Sequence, residues 1–270
     1  MLVLVGPPFS ASEEEFAKLS AATQLLVYDL KTKLKADTWG VVKVLADQDQ
    51  AEALANRLRD AGFRVALVDQ GAASDPGRLF VQVRAIELLD ADLVLHLTER
   101  SMTIPYRAMT TIVRGEVGGF KRSSSSAGFR AVVPTRAEVE VFRETVSTDQ
   151  SDAYAAADIH FATVLWIARI DARAFDFSVL GAPAGAAEGL DRLVEVLSQR
   201  ANVRVDRGNK ISNVASFAPG GTKRAPTPIP GQAPMARREA PERFDVYSRL
   251  IGEAERQAAR PTRTIPPPPP

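Results

Sequence analysis

Cysteine is absent from this chain of 270 residues and only two histidines occur, and both scarcities limit the chemistry it can carry. Without cysteine there are no disulfides, no thiolate metal ligands and no cysteine nucleophile. That composition suits a reducing compartment, and a cytoplasmic protein is expected. With only His96 and His160, catalytic triads and histidine metal clusters have few forms available, and no Gly-x-Ser-x-Gly elbow accompanies them. Long hydrophobic runs are also missing: none approaches the roughly 18 apolar residues that cross a bilayer. Met1-Leu2-Val3-Leu4-Val5 is apolar, but no basic segment leads it and Gly6-Pro7-Pro8 follows too soon for a secretory signal, so it reads as a buried strand. Net charge is nearly absent, with 34 Lys and Arg against 33 Asp and Glu. Residues 219–270 hold nine of the basic and five of the acidic residues, which leaves the tail at +4 and the remainder at −3. Neither value calls for a nucleic-acid partner.

Motifs for phosphate or metal chemistry fail on their details. In Gly115 to Ser123 a phosphate-cradling loop would need glycine before Lys121 and a hydroxyl after it, and Phe120 and Arg122 stand there instead. Asp47-Gln48-Asp49 opens like a calcium loop but lacks the turn glycine and the closing glutamate. No cofactor and no metal site is therefore expected. Asp158 and His160 share a strand face, since side chains repeat every second residue. They supply the alternative reading, a small-ligand-binding or hydrolytic module in the β-rich region using His160, Asp158 and Arg169.

What the chain does have is patterned secondary structure. Ser10 or Ser12 followed by Glu13 or Glu15 marks a capped helix start, with Phe16 and Leu19 on one side. Leu26, Leu30 and Leu34 repeat at helical spacing up to Trp39-Gly40, and Val41 to Leu45 is strand-like. Asp49 with Glu52 suggests a second cap, ahead of a stripe of Leu54, Ala55, Leu58 and Ala61 that Gly62 ends. Val65 to Val68 closes the unit as a strand. The order is β-α-α-β-α-β over residues 1–70, in which one face of a short sheet is buried under a helix and the opposite face and the neighbouring helix surface are left to meet something else; the helices of residues 10–36 and the face around Leu54 and Leu58 are expected to receive a partner.

The run Leu25 to Leu30, then Val41-Val42-Lys43, then Ala51-Glu52 through Leu58 to Ala61-Gly62-Phe63-Arg64-Val65 resembles the C-terminal domain of the bacterial ribosomal stalk protein and its structural relative, the ClpS protease adaptor. Both are non-enzymatic docking domains, so the resemblance implies partner binding through the helices. Gln24 replaces the stalk family's helix glycine, and Gly6-Pro7-Pro8-Phe9 replaces the ClpS pocket, so neither family's specificity is implied.

Gly71 to Gly77 has linker composition, and residues 78–218 read as a β-rich domain. Leu79 to Ile86 and Leu93 to Leu97 are strand-like, with a hairpin turn at Thr98 to Ser101. Met102 to Tyr106 and Thr111 to Val113 resemble bacterial pleckstrin-homology-like domains, which would leave peripheral membrane contact as a third reading if a basic face were present. Gly115 to Gly128 has the composition of a flexible loop, Thr135 to Val146 fits helix and strand equally, Ile159 to Ile170 reads as one central strand, and Leu190, Leu193, Val194 and Leu197 define a closing helix. Residues 219–270 carry twelve of the 18 prolines and read as disordered or polyproline-like, apart from an amphipathic helix near 242–258. The fold class is thus α+β, in two domains with a Pro-rich tail. The expected function is a non-enzymatic adaptor or scaffold for an unidentified protein partner. Leu26, Leu30, Leu54, Leu58, Phe244, Tyr247 and Ile251 are its candidate contacts.

Overall fold

The structure, a computed structural model, describes residues 1–75, 77–132, 138–181, 185–207 and 243–259. The tail stretches 219–242 and 260–270, with the Pro266–Pro270 run, lie outside the described residues, as does Thr135. Helices and several sheets coexist in an α+β arrangement.

The first six elements are β1 (Leu2–Gly6), α1 (Glu13–Thr23), α2 (Val27–Lys33), β2 (Gly40–Val44), α3 (Gln48–Asp60) and β3 (Arg64–Val68). The strands pair antiparallel in the order β2-β1-β3, with a bulge opposite Val3 and Leu4. Ser12 caps α1 reciprocally with Glu15, and Gly62 leaves α3 with φ +89°, a conformation natural to glycine. The cap of α3 is Asp47, whose carboxylate accepts from the Gln50 amide at 2.9 Å; Asp49, the expected cap, lies inside the first turn. The first residues of Gly71 to Gly77, expected as linker, belong to a 3-10 turn, Gln70–Ser74, capped by Asp69.

β1 is buried at every position. Val3 and Val5 face α1, α2 and α3 in a core that includes Phe9, Phe16, Leu19, Leu30, Leu54 and Leu58. Leu2 and Leu4 face the opposite way, into a second apolar layer with Trp39, Val41, Ala66 and Val68. A strand apolar at every residue is one covered on both faces.

The second body holds β4 (Phe80–Val83), β5 (Ala85–Leu88), β6 (Asp92–His96), β7 (Ser101–Pro105), β8 (Met109–Val132), β9 (Glu138–Phe161), β10 (Ile167–Asp171), α4 (Ala186–Ala201) and β11 (Val205–Asp206). A five-stranded sheet runs β11-β8-β9-β10-β4, and β5-β6-β7 form an antiparallel three-stranded sheet. Only Arg84 separates β4 from β5, so the stretch Leu79 to Ile86 crosses from one sheet to the other. Leu190, Leu193, Val194 and Leu197 of α4 fill the space between them with Ile112, Ile159, Ile170 and Leu95.

Two sequence expectations are corrected here. Ile159 to Ile170 is not one strand: β9 ends at Phe161, β10 begins at Ile167, and the two pair antiparallel. The connecting turn contains no glycine, proline or asparagine to betray it; Trp166 at its end is half-buried with its ring 5.4 Å from Phe161. Gly115 to Gly128 lies inside β8, in register with β9 as far as Val132 opposite Glu138. Its serines are poor strand formers, but the facing stretch carries Val139, Val141, Thr145, Val146 and Thr148, and strand formation belongs to the pair rather than to one member. The same pairing places Glu138 to Val146 in a strand.

The last helix, α5 (Arg243–Ala259), lies between the two bodies. Phe244, Val246, Tyr247, Leu250, Ile251 and Ala254 are all buried there, against Leu2, Leu4 and Val68 on one side and Val113, Val117 and Ala156 on the other.

Candidate protein-docking surfaces

An amphipathic helix of α5's length is marginal alone in water and gains its order from packing. Here both of its long sides are packed, and its polar side chains meet partners on several elements. Nη2 of Arg64 on β3 donates to Glu255 at 2.7 Å, and Nε1 of Trp39 donates to the other oxygen of the same carboxylate at 2.8 Å. Arg78 pairs with Glu253. Arg169 on β10 grips Asp158 on β9 with two bonds of 2.7 Å and reaches Asp245 on α5 at 2.6 Å. Its guanidinium also stacks over Phe80 at 3.8 Å. Burial opposes the charge on Arg169, but Asp158 and Asp245 outweigh it and hold the group more firmly protonated than usual. The Tyr247 hydroxyl donates to Asp206 at 2.5 Å, and burial, then the Asp206 charge, raises its pKa well above the ordinary value.

His160 faces this seat. It shares a 3.0 Å hydrogen bond with Ser248, and α5 passes so close that a Cβ on Gly252 would lie 2.1 Å from Nδ1. Burial, reinforced by Arg78, Arg256 and Arg169, lowers its pKa from 6.5 to about 3. The imidazole is therefore neutral at ordinary pH and packed under a helix, and Asp158 and Arg169 are engaged with each other. His96 lies on the solvent side of the three-stranded sheet, within 2.7 Å of Ser101 Oγ and 2.9 Å of Glu87 Oε1. These three side chains form a cross-strand polar ladder on an open face. Among the described residues no group of three or more His, Cys, Asp or Glu is placed to hold a metal ion. Among the described residues no helix is long and apolar enough to cross a membrane.

With the sheet's second face occupied by α5, the helical layer is the face of residues 1–68 that no other described element packs on. Two shallow depressions lie on it. One, of about 420 Å³, is lined by Lys43, Leu45, Gln50, Ala53, Leu54 and Arg57. The other, of about 490 Å³, is lined by Lys18, Ala21, Ala22, Arg57, Asp60 and Ala61. Arg57 belongs to both, so they adjoin. Their linings mix small apolar residues with Lys43, Arg57, Asp60 and Lys18, the last paired with Glu14 at 2.7 Å. At the turn between α1 and α2, Leu26 is 71% exposed and Tyr28 75% exposed. Lys33 and Lys35 are exposed on the same short helix and its exit.

Of the seven residues singled out from the sequence, Leu26 alone is on the surface, at the N-cap of α2 rather than within its apolar stripe. Leu30 and Leu58 are wholly buried in the helical core, where they hold the layer on the sheet, and Leu54 reaches a depression only by its edge. Phe244, Tyr247 and Ile251 are buried in the seat of α5, against the chain's own body. Tyr28 is the surface residue that sequence reasoning passed over; its place two positions before the apolar-stripe residue Leu30, on the other side of the helix, was the available signal.

Comparison of the chain with protein-family models, with curated proteins and with solved structures gives no match.

Proposed function

We propose that this protein is a non-enzymatic adaptor that captures a protein partner on the helical layer of its N-terminal unit. The observation that carries the reading is the exposure of Leu26 and Tyr28, two large side chains left mostly in water at the start of α2, on a layer whose core no described residue outside the unit joins. Exposed apolar side chains grouped on such a face mark contact surfaces. The exposed Lys33 and Lys35 on α2 and its exit favour a partner segment that carries acidic residues beside one or two apolar anchors for Leu26 and Tyr28. The β-α-α-β-α-β order supports the likeness to the ribosomal stalk and ClpS docking domains, and two sheets closed by α4 support the likeness of the second body to pleckstrin-homology-like folds.

The test is affinity enrichment with the full chain and with a Leu26→Asp/Tyr28→Asp variant of unchanged melting temperature. Proteins retained by the first and lost by the second support the reading. Equal retention by both, with loss on changing an exposed residue of the second body such as Leu165, would refute it.

A further inference from the structure

We propose that the cleft between the N-terminal sheet and the five-stranded sheet is a helix-binding site, that α5 is its resident ligand, and that an amphipathic helix of the same class from another molecule takes its place.

The described residues form three separate apolar clusters. One lies under α1, α2 and α3, and one lies between the sheets and α4 of the second body; neither includes a residue of α5. The third consists of α5 and the two sheet surfaces it touches. Removing α5 would uncover that third cluster and leave the other two intact, so the receiving surfaces are supported without their occupant. Thirty-five residues, 208–242, separate Arg207 from the first residue of α5, and the Tyr247 hydroxyl donates to Asp206 on β11.

The cleft states what it accepts. Arg64, Arg78 and Arg169, on separate parts of the body, meet Glu255, Glu253 and Asp245. The apolar walls take Phe244, Tyr247, Leu250, Ile251 and Ala254. Against His160 only a residue without a Cβ fits, and Gly252 supplies it. Counting from Phe244, the ligand class is a helix with aromatic residues at places one and four, Leu-Ile at seven and eight, glycine at nine, alanine at eleven, and carboxylates at two, ten and twelve. Such anchors at helical spacing in a groove are an established recognition mode. Because α5 belongs to the same chain, it competes with an outside helix as an intramolecular ligand.

The experiment uses the full chain with a protease site inserted in the 208–242 segment, and a fluorescein-labelled synthetic peptide of residues 243–259. A control peptide carries Gly252→Ala and Tyr247→Ala. After cleavage, the labelled peptide should replace α5 faster than the β1 amides exchange with deuterium, the control should bind at least tenfold more weakly, and uncut chain should take up at least tenfold less peptide. Entry no faster than β1 exchange, equal binding of the control, or unfolding of the cut chain would overturn the proposal, because α5 would then be an inseparable part of one core. The outcome is independent of docking at Leu26 and Tyr28, so the two readings fail separately.

Discussion

At Gly252 helix and strand approach to a distance that no β-carbon tolerates. Alanine there would gain about 1 kcal/mol of helix propensity and lose about 1–3 kcal/mol to the clash with His160, so Gly252→Ala should destabilise the chain in urea, and His160→Ala should recover part of the loss. His160 also sets a pH dependence. Its folded pKa, about 3, lies below the ordinary 6.5, so the unfolded chain takes up a proton first as pH falls. The stabilisation is complete above pH 6.5 and is lost between pH 6.5 and about 3, at about 1.4 kcal/mol per pH unit. The cations nearest the ring are Arg78, Arg256 and Arg169, from the loop before β4, from α5 and from β10, and all oppose its protonation. Urea titrations of wild type and His160→Gln at several pH values should differ by that slope in this window; parallel profiles would show that the imidazole is solvated.

Among elements, β9, β10 and α5 are tied by one guanidinium. Asp158 is fully buried and bonded twice to Arg169, so Asp158→Asn leaves the buried guanidinium with the partly exposed Asp245 as its remaining carboxylate and should cost about 3 kcal/mol, the low end for a broken buried pair, in chemical denaturation. Glu14→Gln, which breaks the exposed Glu14–Lys18 pair at 2.7 Å, should change stability by less than about 1 kcal/mol. Element order was legible wherever a local signal existed. Ser12 with Glu15, Gly62 after α3, and the stripe from Leu190 to Leu197 each act within a few residues, and each stands where the pattern puts it. The turn between β9 and β10 was not legible, because its residues Ala162 to Leu165 lack turn chemistry and sit between two apolar runs. The strand through Ser123 to Ser126 was hidden as well, since its pairing with β9 is a non-local property.

For the whole molecule, the candidate site was harder to read than the fold. Helical periodicity identifies Leu30, Leu58, Phe244 and Ile251 as apolar-face residues, but periodicity reports burial and says nothing about whose surface does the burying. The information was present in Leu2-Val3-Leu4-Val5: four consecutive apolar residues in a strand require cover on both faces, and that cover is α5. A chain ended at residue 207 exposes Leu2, Leu4, Val41, Val68 and Val113 together, so it should melt at a markedly lower temperature and bind a hydrophobic dye. An unchanged melting temperature would show that α5 contributes little.

The account turns on α5 joining two bodies that each keep their own core. The absence of cysteine allows clean spin-labelling, so the most direct measurement is the distance distribution between labels at Lys33→Cys and Leu165→Cys, with and without Leu250→Asp and Ile251→Asp. A narrow distribution that broadens in the α5 variant, while far-ultraviolet circular dichroism keeps the sheet and helix signals, is the expected result. The same narrow distribution with α5 displaced would contradict the account, because the two bodies would then hold each other directly.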